Sequence, residues 1–193
     1  MHIITVGGNI GCGKSTLIEN LRETGYVTYK EPIDKWGSWL DLFYTNPERY
    51  AFPFQMKILH DFMYFEKEQE LVVTERSPLD SLYVFCKSLK DSKTLTHMEY
   101  NLFKEYVDSI GWKPHTYIYL KASPDVCVDR MRKRARNCET GVDPGYIEQI
   151  HNAYESFVNL LNESPNVCVI EIDANQSVES VCDIVQQKIS EIV

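Results

Sequence analysis

The sequence lacks the features that mark membrane, secreted and zinc-finger proteins. Its six cysteines include no Cys-x-x-Cys pair, so we expect neither a disulfide framework nor a zinc site. No apolar run is long enough to cross a bilayer, and no secretory leader or Arg-rich transit segment opens the chain. These absences predict a cytoplasmic protein that has reduced thiols and no membrane partner.

Basic residues are also scarce. The 193 residues carry 20 Lys and Arg against 28 Asp and Glu, which gives a formal net charge of −8. This excess of negative charge argues against a nucleic acid or an anionic membrane as the main partner, so any bound anion must be held by a local basic site. The length and the 44% hydrophobic content predict a single domain over residues 1–193.

Short apolar runs alternate with segments of helical length. The runs predict strands at 3–6, 26–29, 71–74, 116–120 and 167–172, and the other segments predict helices at 15–23, 101–109, 124–136, 146–162 and 178–193. Because the strands are continuously apolar, we expect a doubly wound α/β fold, with a five-stranded parallel sheet and helices on both faces. Ligands of such folds bind beyond the carboxyl ends of the strands.

The motif G-x-x-x-x-G-K-[ST] directly follows the first predicted strand and opens a helix. In this motif, glycines turn backbone N–H groups toward phosphate oxygens, the lysine reaches the β and γ phosphates, and the hydroxyl can bind Mg²⁺. It predicts a P-loop that binds ATP and Mg²⁺. The residues assigned to ATP are Gly8, Asn9, Ile10, Gly11, Cys12, Gly13, Lys14, Ser15 and Thr16, with Ser15 also assigned to the metal.

Several classes of nucleotide-binding protein share this loop. The Asn-Lys-x-Asp sequence with which a GTP-dependent switch reads its base is absent. A motor ATPase would need more chain to couple hydrolysis to work. A small kinase needs an acceptor site, a carboxylate near the acceptor hydroxyl and cations that close over the transferred phosphoryl group, and candidates for all three are present.

Acidic residues end the second and third predicted strands. Glu31 is the candidate general base for the attacking hydroxyl, although in isolation it could equally be an exposed strand-end glutamate. Glu75 is a candidate for holding Mg²⁺ through water, and Arg76 for neutralising phosphate charge. The alternative for Glu75 and Arg76 is a surface ion pair.

A dense basic run covers residues 130–136 of this acidic chain. Arg130 and Arg134 share a helix face because they lie four residues apart, and Arg136 lies at the edge of the following loop. We interpret the run as part of an arginine-rich lid over residues 130–145, whose guanidinium groups stabilise the phosphoryl group and whose closure excludes water. A solvated helix face and a nucleic-acid patch are the alternatives.

Together these segments resemble the deoxynucleoside kinase family, which includes deoxycytidine, deoxyguanosine, mitochondrial thymidine and insect multisubstrate kinases. The resemblance covers nearly the whole chain and is carried by Glu31-Pro32 with Trp36, the stretch YTNPERYAFPFQ at 44–55, the triplet at 75–77, and the lid followed by Glu139 and Tyr146. It implies a P-loop kinase that transfers the γ-phosphoryl group of ATP to the 5′-hydroxyl of a deoxynucleoside in nucleotide salvage. It also implies Mg²⁺ as cofactor and a homodimer.

The resemblance assigns roles around the reacting groups. It makes Glu31 the base at the 5′-hydroxyl, Glu75 the acid near Mg²⁺, and Arg76 the group that holds the 5′ end. The basic run matches the family's lid arginines, which are Arg130, Arg134 and Arg136. The adenine of ATP would pass the segment formed by Asp173, Ala174 and Asn175.

The resemblance also assigns the nucleoside-binding residues. Tyr44 and Glu139 would contact the sugar 3′-hydroxyl, and Gln55 would form paired hydrogen bonds with the base. An amide suits that role because it offers both a donor and an acceptor. Trp36 and Phe85 would form the apolar walls, since flat rings pack against the faces of a base.

Two further positions bear on the choice of base. In the deoxycytidine kinase branch, an Arg seven residues after the base-reading Gln and an Asp six residues after the triplet's Glu crowd the position of the thymine methyl group. Here Phe62 and Ser81 stand at those places. Loss of the charged pair leaves an uncharged end to the pocket. We therefore predict thymidine and deoxycytidine as substrates, with thymidine favoured.

Three alternatives remain open from the sequence. One is a purine-preferring deoxynucleoside kinase. Another is a nucleoside monophosphate kinase, which needs extra cations for the acceptor phosphate, whereas the segment 36–62 contains only Arg49, Lys57 and His60 as possible cations. The third is a catalytically silent nucleotide-binding protein, which has no physical need for an intact Lys14 together with Glu31.

Overall fold

The computed structural model describes residues 1–63, 69–134 and 142–192, and it contains one five-stranded sheet. The strands are β1 (His2–Gly8), β2 (Thr28–Tyr29), β3 (Leu71–Glu75), β4 (Thr116–Lys121) and β5 (Cys168–Asp173). They lie in the order β2-β3-β1-β4-β5, and every neighbouring pair is parallel. The prediction of a doubly wound five-stranded parallel sheet is confirmed.

Helices connect the strands and follow the last one. They are α1 (Lys14–Glu23), α2 (Ile33–Thr45), α3 (Pro47–Phe62), α4 (Pro78–Asp80), α5 (Lys87–Asp91), α6 (His97–Ile110), α7 (Pro124–Arg134), α8 (Pro144–Asn162) and α9 (Val178–Ser190), with a π-helical segment at Ser81–Cys86 between α4 and α5. The sequence predicted α1, α6, α7, α8 and α9. Within the described part of the chain, no helix is both long and apolar enough to span a membrane.

The helices α2 and α3 were not predicted. Both are rich in aromatic residues, and α3 carries a proline inside the helix at Pro53. Pro47 occupies the first turn of α3, where a missing N–H is tolerated, and the Asn46 side chain accepts a hydrogen bond from the Arg49 N–H as an N-cap. Local capping therefore starts this helix, and its buried residues recur at helical spacing from Ala51 to Leu59.

Apolar side chains cover both faces of the sheet. On one face, Ile4 and Val6 of β1 pack with Leu17 of α1 and Val185 of α9. The core of the other face includes buried residues of β4, α6 and α8, such as Tyr117, Tyr119, Phe103, Val107, Tyr154 and Phe157. Burial of the apolar faces of the helices against the two faces of the sheet holds the helices in place.

The strand order brings three carboxyl ends to one edge of the sheet. The glycine loop follows β1, Glu31 follows β2, and Glu75 ends β3, which lies between those two strands. Candidate site residues that are far apart in the sequence therefore meet at this edge, as expected for a parallel α/β sheet.

Gly7 of β1 lies against the ring of Tyr117, and this contact gives a stability prediction. A Cβ at Gly7 would lie 1.7 Å from the Tyr117 hydroxyl oxygen. Because the overlap forces a core tyrosine or the strand to move, we expect Gly7→Ala to lower the free energy of unfolding by about 2 to 3 kcal/mol. Urea denaturation followed by circular dichroism measures this change.

The matched control is Gly37→Ala in α2, where an added Cβ meets nothing within 4 Å. There we expect an increase of about 0.5 to 1 kcal/mol, because alanine has the higher helix propensity. Equal effects of the two substitutions would contradict the close approach of β1 to Tyr117.

Candidate active site

The glycine loop is built from backbone conformations that other residues rarely adopt. Gly8, Gly11 and Gly13 have φ angles of 140°, 82° and 109°. The Lys14 side chain is buried, and its ammonium group donates to the Asn9 carbonyl oxygen over 2.8 Å. The Asn9 amide nitrogen in turn donates to the carbonyl oxygen of Ile147 in α8 over 2.8 Å. The loop therefore holds its lysine and is tied to the helix that follows the lid.

An oxygen-donor pair lies beside the loop. The Ser15 hydroxyl at the start of α1 donates to Glu75 Oε1 over 2.6 Å, and Glu75 Oε2 accepts from the Glu31 N–H over 3.4 Å. Oxygen ligands of this kind suit Mg²⁺, which usually takes one or two protein carboxylates together with substrate phosphates and water. Among the described residues, no group of three or more His, Cys, Asp or Glu is placed to hold a metal ion.

Glu31 and Arg76 form a buried ion pair between the ends of β2 and β3. Arg76 Nη1 donates to Glu31 Oε2 over 2.5 Å, and the two side chains are 9% and 5% exposed. Burial raises the pKa of Glu31 to about 7, although the Arg76 charge acts in the opposite direction. The sequence left open that Glu31 is an exposed strand-end glutamate and that Arg76 belongs to a surface ion pair. Both side chains are buried, so neither alternative holds.

Arg76 has a strained backbone and a side chain that is held from several sides. Its φ angle is 60°, in the left-handed region that favours glycine. Its Nε donates to the Tyr154 hydroxyl over 2.9 Å, its Nη2 approaches the Gly8 carbonyl oxygen at 3.5 Å, and its guanidinium carbon lies 4.9 Å from the centre of the Phe85 ring. The arginine is therefore fixed between the glycine loop, Glu31 and the core.

A cavity of about 850 Å³, which includes space open to solvent, lies on the α2 and α3 side of this pair. Its polar floor contains Lys14, Ser15, Glu31, Glu75 and Arg76, and its remaining lining residues are Ile10, Gly11, Ile33, Trp36, Leu40, Tyr44, Phe54, Gln55, Ile58, Ser81, Phe85, Arg134 and Tyr146. We call it the acceptor cavity. Trp36 and Phe54 meet edge to face in its wall, with ring centres 6.1 Å apart.

Gln55 is the polar residue in the wall of the acceptor cavity that lacks a full set of partners. It is 4% exposed, and its Oε1 atom has no hydrogen-bond partner. An unpaired buried acceptor costs about 1 to 3 kcal/mol, so such groups are rare unless a ligand completes them. The amide is therefore placed to bind a polar edge of a ligand.

A second cavity, which we call the donor cavity, lies on the other side of the glycine loop. Its lining residues are Gly11, Cys12, Gly13, Ser15, Thr16, Leu17, Arg130, Arg134, Ala174, Gln176, Val178, Val181 and Cys182. Arg134 lines both cavities, as Gly11 and Ser15 do, so these residues lie at their boundary. The predicted role of Arg134 in a lid stays a prediction.

Arg130 has a different environment. Its Nη1 donates to the carbonyl oxygens of Cys12 and Ala174 over 3.2 and 2.7 Å, and its Nη2 donates to that of Gln176 over 3.0 Å. The guanidinium group therefore joins the glycine loop to the segment after β5. Arg130 lies in the donor cavity, but its hydrogen bonds are to backbone carbonyls that hold the cavity together.

The structure brings most of the predicted nucleoside residues together, with the exception of Phe62. Trp36, Tyr44, Gln55, Ser81 and Phe85 line the acceptor cavity. Phe62 lies two helical turns beyond Gln55 on α3, lines a separate depression, and packs edge to face on Trp112 at 6.4 Å. Side chains seven residues apart on a helix point in nearly the same direction but lie about 10 Å apart along the axis. This distance explains why Phe62 lies outside the cavity that Gln55 lines.

The predicted adenine segment is only partly in place. Ala174 lines the donor cavity, whereas Asp173 and Asn175 line a different depression, where the Asn175 side-chain oxygen accepts from the Ser123 N–H over 2.9 Å. Arg136 and Glu139 lie outside the described residues, so their predicted roles stay predictions.

Sequence reasoning missed several lining residues. In the acceptor cavity these are Ile33, Leu40, Phe54, Ile58 and Tyr146, and in the donor cavity they are Leu17, Gln176, Val178, Val181 and Cys182. The helical spacing of Phe54, Gln55 and Ile58 could have identified one face of α3 as a wall. No comparable pattern marks the residues after β5.

Known proteins that are similar to this chain are kinases or are described as such. The family model described as deoxynucleoside kinase matches residues 4–193. A putative kinase protein of invertebrate iridescent virus 3 is 33% identical, with 100% of this chain and 98% of the relative covered. A probable deoxycytidine kinase of fowlpox virus is 34% identical over 89% and 78% of the two chains, and a thymidine kinase of ictalurid herpesvirus 1 is 32% identical over 94% and 82%.

A solved structure supports the fold. The deoxyadenosine kinase of M. mycoides, described with dCMP and dCDP bound, superposes with a TM-score of 0.87 at 23% identity and covers 99% of this chain and 100% of its own. At that identity the likeness concerns the fold, while the match of the family model over nearly the whole sequence is the evidence for relationship. This chain belongs to the deoxynucleoside kinase family.

Proposed function

We propose that this kinase transfers the γ-phosphoryl group of ATP to the 5′-hydroxyl of a pyrimidine deoxynucleoside, with thymidine and deoxycytidine as its best acceptors. The observation that carries the proposal is the boundary between the two cavities. Gly11, Ser15 and Arg134 line both cavities, and Lys14, Glu31 and Arg76 lie in the lining of the acceptor cavity, whose wall contains an unpaired amide oxygen.

Each residue at this boundary has a chemical task. Glu31 accepts or orients the proton of the attacking hydroxyl, and its raised pKa makes the carboxylate a stronger base than an exposed glutamate. Lys14, Arg76 and Arg134 stabilise the charge on the phosphoryl oxygens. Ser15 and Glu75 would hold Mg²⁺, which supplies further neutralisation of phosphate charge when it is bound.

The lining of the acceptor cavity favours a neutral acceptor. Its cations, Lys14, Arg76 and Arg134, all lie at the phosphate end near Glu31 and the glycine loop, while the wall near Gln55 is aromatic and aliphatic. A nucleoside monophosphate would bring a second phosphate that needs its own cations. Among the described lining residues, none beyond those three is available, which supports a nucleoside over a monophosphate.

The preference for pyrimidines rests on Gln55 and Ser81. The Gln55 amide can donate to and accept from the hydrogen-bonding edge of thymine or of cytosine. Ser81 is small and uncharged, and Ile58 is apolar, so the described wall offers no charge that would exclude a 5-methyl group. Phe62 does not contribute to the cavity, so the preference does not depend on it.

We also propose a cytoplasmic homodimer without a nucleic-acid partner. The net charge of −8 supports the absence of a nucleic-acid partner. The helix α6 exposes Met98, Leu102, Tyr106 and Ile110, four apolar residues at intervals of four, with 79%, 43%, 41% and 55% of their surface accessible. A contiguous exposed apolar stripe of this kind is typical of an interface between subunits.

The first prediction concerns the reaction. With Mg²⁺ and ATP, the protein is expected to convert thymidine and deoxycytidine to 5′-monophosphates faster than deoxyguanosine, deoxyadenosine or thymidylate, with ADP formed in equal amount. Glu31→Gln should lower kcat by roughly 100- to 1000-fold, because it removes the base but keeps the shape of the side chain. Chromatography of the nucleotide products measures both.

The matched control is Glu163→Gln, which makes the same chemical change at an exposed position at the end of α8 and should leave kcat unchanged. Much faster phosphorylation of a purine deoxynucleoside would refute the pyrimidine preference. Phosphorylation of thymidylate alone would refute the nucleoside kinase proposal.

The second prediction concerns Gln55. Gln55→Leu should raise the KM for the preferred pyrimidine by about 10- to 100-fold, since the hydrogen bonds to the base are lost. The same change should raise the free energy of unfolding of the ligand-free protein by about 1 kcal/mol, because it removes a buried unpaired oxygen. Steady-state kinetics and urea denaturation give the two values.

Gln149→Leu on α8 serves as the control, since Gln149 lines neither the acceptor nor the donor cavity. It should leave KM unchanged. A Gln55→Leu enzyme that has an unaltered KM would show that the amide does not read the base.

The third prediction concerns assembly. Light scattering after size exclusion should give the mass of a dimer for the wild type. Leu102→Glu should give the mass of a monomer, because it places a charge in the apolar stripe. Leu42→Glu, at a comparably exposed leucine of α2, should remain dimeric. A monomeric wild type would contradict the homodimer.

A further inference from the structure

A buried polar network lies directly beneath Arg76, on the side away from the acceptor cavity. Asp80, Tyr117 and Tyr154 are completely buried in the core between β4, α4 and α8. Arg76 Nε donates to the Tyr154 hydroxyl over 2.9 Å, and the Tyr154 hydroxyl donates to Asp80 Oδ1 over 3.2 Å. Tyr117 donates to the same Asp80 oxygen over 2.5 Å.

While Asp80 is ionised, its carboxylate accepts every hydrogen bond that it makes in this network. The other carboxylate oxygen, Oδ2, accepts from the Ser77 N–H over 2.9 Å and from the Ser77 hydroxyl over 2.7 Å. Four donors therefore surround the carboxylate. Because the Tyr154 hydroxyl has one proton and directs it to Asp80, its lone pairs face the Arg76 N–H. Asp80 thus fixes the orientation of the Tyr154 hydroxyl.

Arg76 needs such a support because its conformation is strained and its charge is buried. A non-glycine residue at a φ of 60° persists only where the surrounding structure determines it. Glu31 holds the side of the guanidinium group that faces the acceptor cavity, and Tyr154 holds the opposite side through Nε. Without Tyr154, Nε would lose its partner, and the guanidinium group would keep Glu31, the longer contact with the Gly8 carbonyl oxygen and the Phe85 ring.

We propose that Tyr154 and Asp80 are positioning residues for phosphoryl transfer: Asp80, acting through the Tyr154 hydroxyl, holds the plane of Arg76 toward Glu31 and the phosphoryl group. The proposal rests on the proposed kinase function. In this proposal Tyr117 only donates a hydrogen bond to Asp80, because among the contacts of the described residues it makes none to Arg76. Neither Tyr154 nor Asp80 lines the acceptor or the donor cavity.

Two isosteric substitutions separate positioning from stability. Tyr154→Phe removes the hydroxyl that joins Arg76 to Asp80, and Tyr117→Phe removes a hydroxyl from the same carboxylate oxygen without touching Arg76. Both rings keep their packing, which for Tyr154 includes the stacked ring of Tyr119 at 5.9 Å. We expect both variants to fold with a lowered melting temperature, because Tyr117→Phe removes one buried hydrogen bond of Asp80 and Tyr154→Phe removes one of Asp80 together with that of Arg76 Nε.

The kinetic result should differ between them. For Tyr154→Phe, kcat is expected to fall roughly 10- to 100-fold while the KM for thymidine changes less than about threefold, because Arg76 acts on the transferred group once substrate is bound. For Tyr117→Phe, both values should stay within about threefold of wild type. Equal losses of kcat in the two variants, or an unchanged kcat in Tyr154→Phe, would overturn the proposal.

A measurement that does not depend on activity completes the test. In the ligand-free protein, hydrogen exchange of the Arg76 Nε–H, followed by NMR, should be faster in Tyr154→Phe and unchanged in Tyr117→Phe. Absence of nucleoside-dependent transfer by the wild type would refute the proposed function, and the exchange rates would then decide the positioning role alone. Equal exchange in both variants would overturn it.

Discussion

Arg76 and Glu31 form an ion pair in which both side chains are almost fully withdrawn from water. Two buried charges are stable only when each has a close partner and further hydrogen bonds, so the ends of β2 and β3 must meet within hydrogen-bond distance. The strand order β2-β3-β1 meets that requirement and places the glycine loop of β1 next to the pair. The geometry of the whole site follows from this constraint.

The pair lines the acceptor cavity, which adjoins the donor cavity at Gly11, Ser15 and Arg134. The acceptor cavity has aromatic walls and one unpaired amide oxygen, whereas the donor cavity is built from the glycine loop and from backbone carbonyls gathered by Arg130. Arg134 borders both. Lys14 and Arg76 are buried and Arg134 is exposed, and all three line the acceptor cavity, so this acidic protein holds three cations close to the glycine loop.

Polar groups continue beneath the site into the core. Asp80 carries four hydrogen bonds from Ser77, Tyr117 and Tyr154 at a depth where apolar residues would otherwise pack. Burial raises the pKa of Asp80, which shows that the core disfavours its charge. A network of this kind is stable only when every member is satisfied, and it then defines a single arrangement of the groups above it.

The sequence alone determined the features that depend on contiguous residues. The strands and the glycine loop were predicted because β-branched runs and glycines encode backbone conformation locally, and Glu31, Glu75 and Arg76 were found because they end parallel strands. Only the tertiary structure decided that Phe62 packs on Trp112 outside the acceptor cavity, that Arg130 binds carbonyls of distant loops, and that Tyr154 reaches Arg76 from 78 residues further along the chain. Those contacts depend on how helices pack onto the sheet, and no local pattern of residues encodes that packing.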